Sequence, residues 1–215
     1  RGPDRRRDPV SAAPVPDPSG LLDELTRELA VTGDIDRATA LVLDAALRLP
    51  GIDAGGVYLL DQLTGGLGLI AHRGLGADFL ARVSALPAAA REVARARSGT
   101  PLYLSRREIE SAEWADVPCP PDWHALAAIP VRCADESIAL IRLGSRALAE
   151  IPGETRTRLE ALGEALGGIL GRLAAARDPA AGHGEREELA AAPEAPRSPS
   201  EEIARRVAER TAELT

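Results

Sequence analysis

Cys119, Cys133, His72, His124 and Arg142 are the residues of this chain whose types could do chemistry. A cysteine is a nucleophile or redox group only as a thiolate, which requires an exposed, electropositive setting. Cys119 sits in the proline-rich run VPCPP, and Cys133 closes the apolar run AIPVRC. Neutral imidazole serves as an axial haem ligand, which makes His72 and His124 candidates; a hydrogen-bonded or rim histidine is the plainer reading of both. Arg142 falls between apolar neighbours in ALIRLG and suits either an anionic ligand or an Asp/Glu partner. Aromatic side chains make up only 2% of the chain: Tyr58, Phe79, Tyr103, Trp114 and Trp123. Their scarcity makes them the candidates for lining a small-molecule pocket. Trp114 and Trp123 flank the proline-rich stretch, which suits a lid.

These residues must be positioned by regular elements, and the periodicity supplies them. Residues 21–49 predict two helices, with Leu22, Leu25 and Leu29 on one stripe and Ile35, Ala38, Val42, Ala45 and Leu49 on the next. Asp17-Pro18 and Gly33-Asp34 are start and stop chemistry, and Pro50-Gly51 ends the second helix. Val57–Leu60 and Leu67–His72 predict a hairpin across Thr64-Gly65-Gly66. Residues 77–86 and 88–98 predict helices, 100–104 a short strand, and 105–122 an irregular segment. Ala125–Val131 and Ser137–Gly144 predict a second hairpin. Residues 154–176 predict a long helix with Leu159, Leu162, Leu166, Ile169 and Leu173 on its apolar side. Neighbouring strands joined by tight turns read as α+β on an antiparallel sheet rather than as alternating βαβ units.

Composition bounds the rest. The 215 residues carry a formal net charge of −7, with 45% hydrophobic and 27% charged residues. That is a globular balance, and its acidity argues against a nucleic-acid-binding surface. No apolar run reaches the roughly 18 residues that span a bilayer. Two cysteines do not form a disulfide framework. Lysine, asparagine and methionine are absent, which fits the codon habit of a GC-rich genome. A chain that opens on Arg1 rather than methionine is expected to be a piece of a longer protein. Residues 1–18 read as a disordered arm or linker. The body at 19–176, about 155 residues, can bury about 70% of the surface its unfolded chain exposes. Residues 177–199 read as a flexible linker. At 200–215 a capping box (Ser198-Pro199-Ser200-Glu201) leads into Ile203, Val207 and Leu214, the start of a coiled-coil helix.

The stretches GIDAGGVYLLD (51–61), LGLIAHRGL (67–75), WHALAAIPVRCADESIALIRLGS (123–145) and EIPGETRTRLEALGEALGGILGRL (150–173) resemble a GAF domain, and together they look like those of multidomain PAS/GAF sensor histidine kinases. The tail RRVAERTAEL (205–214) resembles the helix that joins such sensor modules to the next domain. The resemblance covers about 19–176. It implies an antiparallel sheet of five to six strands, with the N- and C-terminal helices on one face and a small pocket on the other, covered by 76–122. The family usually places a glycine in the last hairpin, where this chain has Ala134-Asp135-Glu136. The fold does not name a ligand, and the sequence specifies no cofactor. The Asn/Lys-containing signature of cyclic-nucleotide-binding members is absent with those residue types. Bilin-binding members attach the pigment through a cysteine beside a histidine, whereas His124 is five residues from Cys119 and Cys133 precedes Ala134. Free methionine sulfoxide reductases share the fold and use reactive cysteines. Cys119 resembles one of them in position, but the segment AREVARA (90–96) lacks a second.

Gly163, Gly167 and Gly171 recur every four residues in the last helix, with Gly168 beside them. Each costs about 1 kcal/mol of helix propensity against alanine. Close packing on the sheet or on a second subunit would compensate. The reading is a cytoplasmic sensory module, non-catalytic within these residues, with a candidate pocket of Tyr58, His72, Phe79, Tyr103, Trp114, Trp123, His124 and Arg142. Expected partners are a second copy through the terminal helices and adjacent PAS or kinase domains of the same chain. The alternatives are a ligand-free structural dimerisation module and a thiol-dependent sulfoxide reductase.

Overall fold

The computed structural model describes residues 18–111, 114 and 117–177. The expected arm before Pro18, the linker after Arg177 and the helix at 200–215 lie outside the described residues. Helices α1 (Pro18–Ala30) and α2 (Ile35–Leu47) lead into the hairpin β1 (Ala54–Leu60) and β2 (Leu67–Arg73). Then follow α3 (Ala77–Val83), β3 (Ala85–Leu86), α4 (Arg91–Ser98), β4 (Leu102–Ser105) and α5 (Arg106–Ile109). The hairpin β5 (Ala125–Cys133) and β6 (Glu136–Ser145) and the long α6 (Gly153–Arg177) complete the described chain. The six strands form one antiparallel sheet in the order β3-β2-β1-β6-β5-β4. Hairpin partners are thus sequence neighbours, as the turn chemistry predicts, and the β1–β6 pairing joins them at the centre.

Strand alternation divides two cores. Val57, Leu59, Ile129, Val131, Ile141 and Leu143 face α1, α2 and α6, where Leu25, Leu29, Val42, Leu162 and Leu166 meet them. Tyr58, Leu60, Leu126 and Leu140 face the other way, under Phe79, Val83, Val93, Ala96 and Trp123. The α+β architecture, the sheet and the terminal helices on one face are therefore as expected.

Two segments differ. The helix expected over 77–86 stops at Val83, and Ala85–Leu86 pair with Gly68 and Leu67 as an edge strand. Pro87 is the reason, since the residue before a proline is driven from helical to extended backbone. The segment expected to be irregular contains α5. There the Glu108 carboxylate accepts hydrogen bonds from the Ser105 backbone N–H at 2.8 Å and from its hydroxyl at 2.6 Å, a capping arrangement that starts a helix.

The last hairpin turns through Ala134 at φ +52°. This left-handed conformation costs a non-glycine residue roughly 1–2 kcal/mol. Ala134 is exposed, so nothing but the turn constrains it. Ala134→Gly is expected to raise stability by about 0.5–1 kcal/mol, after the extra unfolded-state entropy of glycine is subtracted. Urea midpoints of the two proteins measure this, and an unchanged or lower midpoint would show the turn to be unstrained.

Candidate functional site

Register places Arg142 at the middle of the sheet. It pairs with Gly56 on β1 and with Ala128 on β5. On β6, Ala139, Ile141 and Leu143 point into the helical core, so Leu140, Arg142 and Gly144 face α3 and α4. Small partners on both flanking strands leave room for the guanidinium over the sheet. Two residues along, Gly144 carries the Trp123 ring, which occupies the space a Cβ there would need. Trp123 is 1% exposed, and its ring centroid lies 6.2 Å from that of Phe79.

The charge of Arg142 is answered from α4. Its Nη1 donates to Glu92 Oε1 at 3.3 Å, an ion pair with side-chain exposures of 2% and 7%. Nη2 donates to the Pro118 carbonyl. The Nε proton has no partner among the described residues, and neither has the indole N–H of Trp123. Most buried donors are satisfied, so two orphans on one face are a notable pair. Glu92 carried no signal on its own, because a glutamate in the first turn of a charged helix reads as a solvated residue. The stripe Glu92, Val93 and Ala96, all buried, is the pattern that could have found it.

Tyr58 lies beside this pair, and burial pushes its phenol up to about 12, opposed by the nearby Arg142 guanidinium. Burial likewise raises the Cys119 thiol, against the pull of Arg142 and Arg106. Cys119 is therefore a protonated thiol at neutral pH rather than a thiolate. Trp114 is half-buried at the edge of the same core, with the Arg91 guanidinium 5.7 Å from its ring.

At the rim, a cleft of about 380 Å³ opens between the 74–79 segment and Pro120–Asp122. Arg146 ties its walls together, pairing with Asp122 and donating to the Gly74 carbonyl at 3.3 Å. Phe79 lines both this cleft and the buried cluster.

Of the residues singled out from the sequence, Tyr58, Phe79, Trp114, Cys119, Trp123 and Arg142 gather on this side of the sheet. His72 lies opposite Gly56 and so on the Arg142 face, but outside the buried cluster. His72 and His124 are both exposed, and the His124 backbone N–H bonds the Ser145 carbonyl at 2.6 Å. Tyr103 packs on the opposite face, where its hydroxyl donates to Glu160 Oε1 at 2.7 Å and the Arg156 guanidinium sits 4.7 Å from its ring. Cys133 also lies on that face, against Gly171, so the sheet separates the two cysteines.

Tyr58 and Tyr103 both hold their protons more tightly than free tyrosine, mainly through burial. The unfolded chain ionises near pH 10, so it gains stability relative to the folded form above that pH. Stability is expected to be intact below pH 10 and to fall between pH 10 and about 12, where Tyr58 itself titrates. Tyrosinate absorbance followed with pH checks this. Tyrosine ionisation near pH 10 with the fold intact would contradict it.

No protein-family model and no curated protein matches the sequence. Solved structures do match the fold. The GAF domain of a phosphoenolpyruvate-protein phosphotransferase from Coxiella burnetii superposes with a TM-score of 0.62 at 15% identity, over 77% of this chain and 99% of that one. Free methionine-R-sulfoxide reductase from Neisseria meningitidis, solved with its substrate, gives a TM-score of 0.62 at 17% identity, over 78% and 96%. The GAF domain of a sensor histidine kinase from Pseudomonas syringae pv. tomato gives a TM-score of 0.53 at 21% identity, over 74% and 90%. At these identities the likeness is one of fold: the chain has the GAF fold.

Proposed function

We propose that this GAF-fold chain is a sensory, regulatory module of a signal-transduction protein. It binds a small ligand, or a neighbouring domain, on the Arg142 side of the sheet and passes the change through α6. The supporting observation is the buried Arg142 with an unpartnered donor, next to a second unpartnered donor on Trp123, beneath a cover of short helices and loops. Buried polar groups left without partners are costly, and a ligand that satisfies them gains what the free protein loses. The route to α6 is short. Ala128 on β5 flanks Arg142, and α6 packs against the other side of β5 through Ile129 and Arg132.

On this reading 19–176 is the sensory body, 1–18 an arm, 177–199 a linker and 200–215 the start of a coiled-coil helix. The module works in the cytoplasm as a homodimer through its terminal helices, next to PAS or kinase domains, in a sensor histidine kinase. Two-component sensors with this fold support that choice. Among the described residues no helix is long and apolar enough to cross a membrane. Catalysis belongs to the parent protein. A thiol reductase would need an activated cysteine, and Cys119 is protonated and walled off from Cys133 by the sheet.

The Arg142–Glu92 pair supports a second reading, in which the chain satisfies its own site and acts as a ligand-free dimerisation module. Native mass spectrometry of the protein from its own host separates the two. A stoichiometric retained small molecule is the expected result. A bare polypeptide mass in freshly isolated, undialysed protein would favour the structural module.

A further inference from the structure

The ligand-binding reading above leaves the ligand's chemistry open, and the charges and orphan donors around Arg142 narrow it. We propose that the Arg142–Trp123 face takes an uncharged small molecule presenting carbonyl or ring-nitrogen acceptors, and that Glu92 sets this preference by cancelling the charge of Arg142. This inference rests on the ligand-binding reading.

The first ground is charge balance. Among the described residues, the ionisable groups packed around the site are Arg142, Glu92, Tyr58 and Cys119. The ion pair sums to zero, and phenol and thiol are neutral at ordinary pH. At the rim Arg106 pairs with Glu110 and Arg146 with Asp122, while Arg82 stays outside the buried site, over the Phe79 ring at the cleft. An incoming carboxylate or phosphate would therefore bring an uncompensated charge into a buried site, which is strongly unfavourable. An arginine alone on the sheet would favour an anion; this arginine already holds one.

The second ground is the inventory of unfilled positions. Arg142 Nε and Trp123 Nε1 are both donors, on side chains 2% and 1% exposed. Two donors without acceptors call for acceptor atoms. The surrounding side chains of Tyr58, Phe79, Leu126 and Leu140 are apolar and partly aromatic, which suits a flat or compact apolar body carrying those acceptors.

Benzamide and benzoate are suitable probes, because they share a ring and nearly a shape but differ in charge. Affinities of the full chain for each are measured by calorimetry. Benzamide is expected to bind about tenfold or more tightly than benzoate, since uncompensated burial of the anion costs at least one hydrogen bond's worth. Glu92→Gln, which removes the negative charge and keeps an acceptor for Nη1, is expected to invert that order. Should Glu92→Gln fail to fold, Trp123→Phe carries the test. It removes one orphan donor together with part of the buried ring, so the melting midpoint is expected to fall and benzamide to bind about five- to tenfold more weakly, with benzoate affinity unchanged. A fallen midpoint with benzamide affinity unchanged would show a merely structural Trp123 and overturns the proposal. Benzoate binding the native protein as tightly as benzamide, or neither probe binding, overturns it too. An anionic molecule found in the native mass spectrum overturns the neutral-ligand inference while leaving the sensory reading supported.

Discussion

Glu92→Ala is expected to destabilise the protein by about 3–5 kcal/mol, because it strands the Arg142 guanidinium in the core without its counter-charge. Arg142 is 2% exposed and cannot shed its proton, so there is no cheap escape from the mismatch. The effect is expected to persist in high salt, since a buried pair is screened far less than surface pairs such as Arg48–Glu24. Replacing both partners, Glu92→Leu with Arg142→Met, is expected to return stability to the native level or above it, as apolar substitutes for buried ion pairs commonly do. The comparison has a functional edge. If the apolar pair is as stable as the native one, the ion pair and the orphan Nε contribute nothing to stability that leucine and methionine could not, and a role in binding is the remaining account. Urea denaturation of Glu92→Leu, Arg142→Met and the double variant closes the cycle. A loss below about 1 kcal/mol for Glu92→Ala would place the carboxylate in solvent and remove the charge argument for an uncharged ligand.

Much of the fold was legible in the sequence because local signals agreed with one another. Leu25 and Leu29, then Ile35, Ala38 and Val42, lie buried where helical spacing puts them. Thr64-Gly65-Gly66 and the β5–β6 runs specified hairpins by turn chemistry and alternation. The short edge strand at Ala85–Leu86 has no signal of its own, because two residues carry no periodicity, although Pro87 favours its extended backbone. Ser105-Arg106-Arg107-Glu108 carried the capping spacing for α5 within a stretch read as irregular.

The candidate site was legible where one residue contradicted its surroundings. Arg142 stands out because a charge in an apolar strand needs a partner, and an acidic side chain or an anion is what supplies it. Which acid was not readable, since the Glu92 contact spans fifty positions and depends on how α4 sits over the sheet. Tyr103 shows the opposite difficulty. Its segment covers the pocket side, yet β4 is only four residues long, too short for alternation to fix which face the ring takes. Its side chain went to the helical face, where Glu160 and Arg156 receive it.

The glycines of α6 supply the other large expected effect, and adjacent positions make it a controlled comparison. Gly167→Ala is expected to destabilise by about 3 kcal/mol, at the upper end for an overpacked contact, whereas Gly168→Ala is expected to stabilise by up to about 1 kcal/mol through helix propensity. A Cβ on Gly167 would collide with the Arg132 backbone carbonyl, but one on Gly168 meets nothing within 4 Å. The neighbours grade as expected for one helical stripe. A Cβ on Gly163 would meet Ile129 Cγ2 at 3.0 Å and one on Gly171 would meet Cys133 Sγ at 2.5 Å, both side-chain atoms with some freedom to move. At Gly167 the obstacle is main chain in the β5–β6 hairpin, next to the register shift at Val131/Arg132, so relief requires lifting the helix. Both substitutions gain the same intrinsic propensity, so the difference in their urea midpoints isolates the close approach itself. Equal midpoints would mean that α6 does not rest on β5 as drawn. The expected split places the helix on the strand whose Ala128 flanks Arg142. Lifting α6 with Gly167→Ala would then loosen a direct mechanical link between the buried site and the helix proposed to carry its signal.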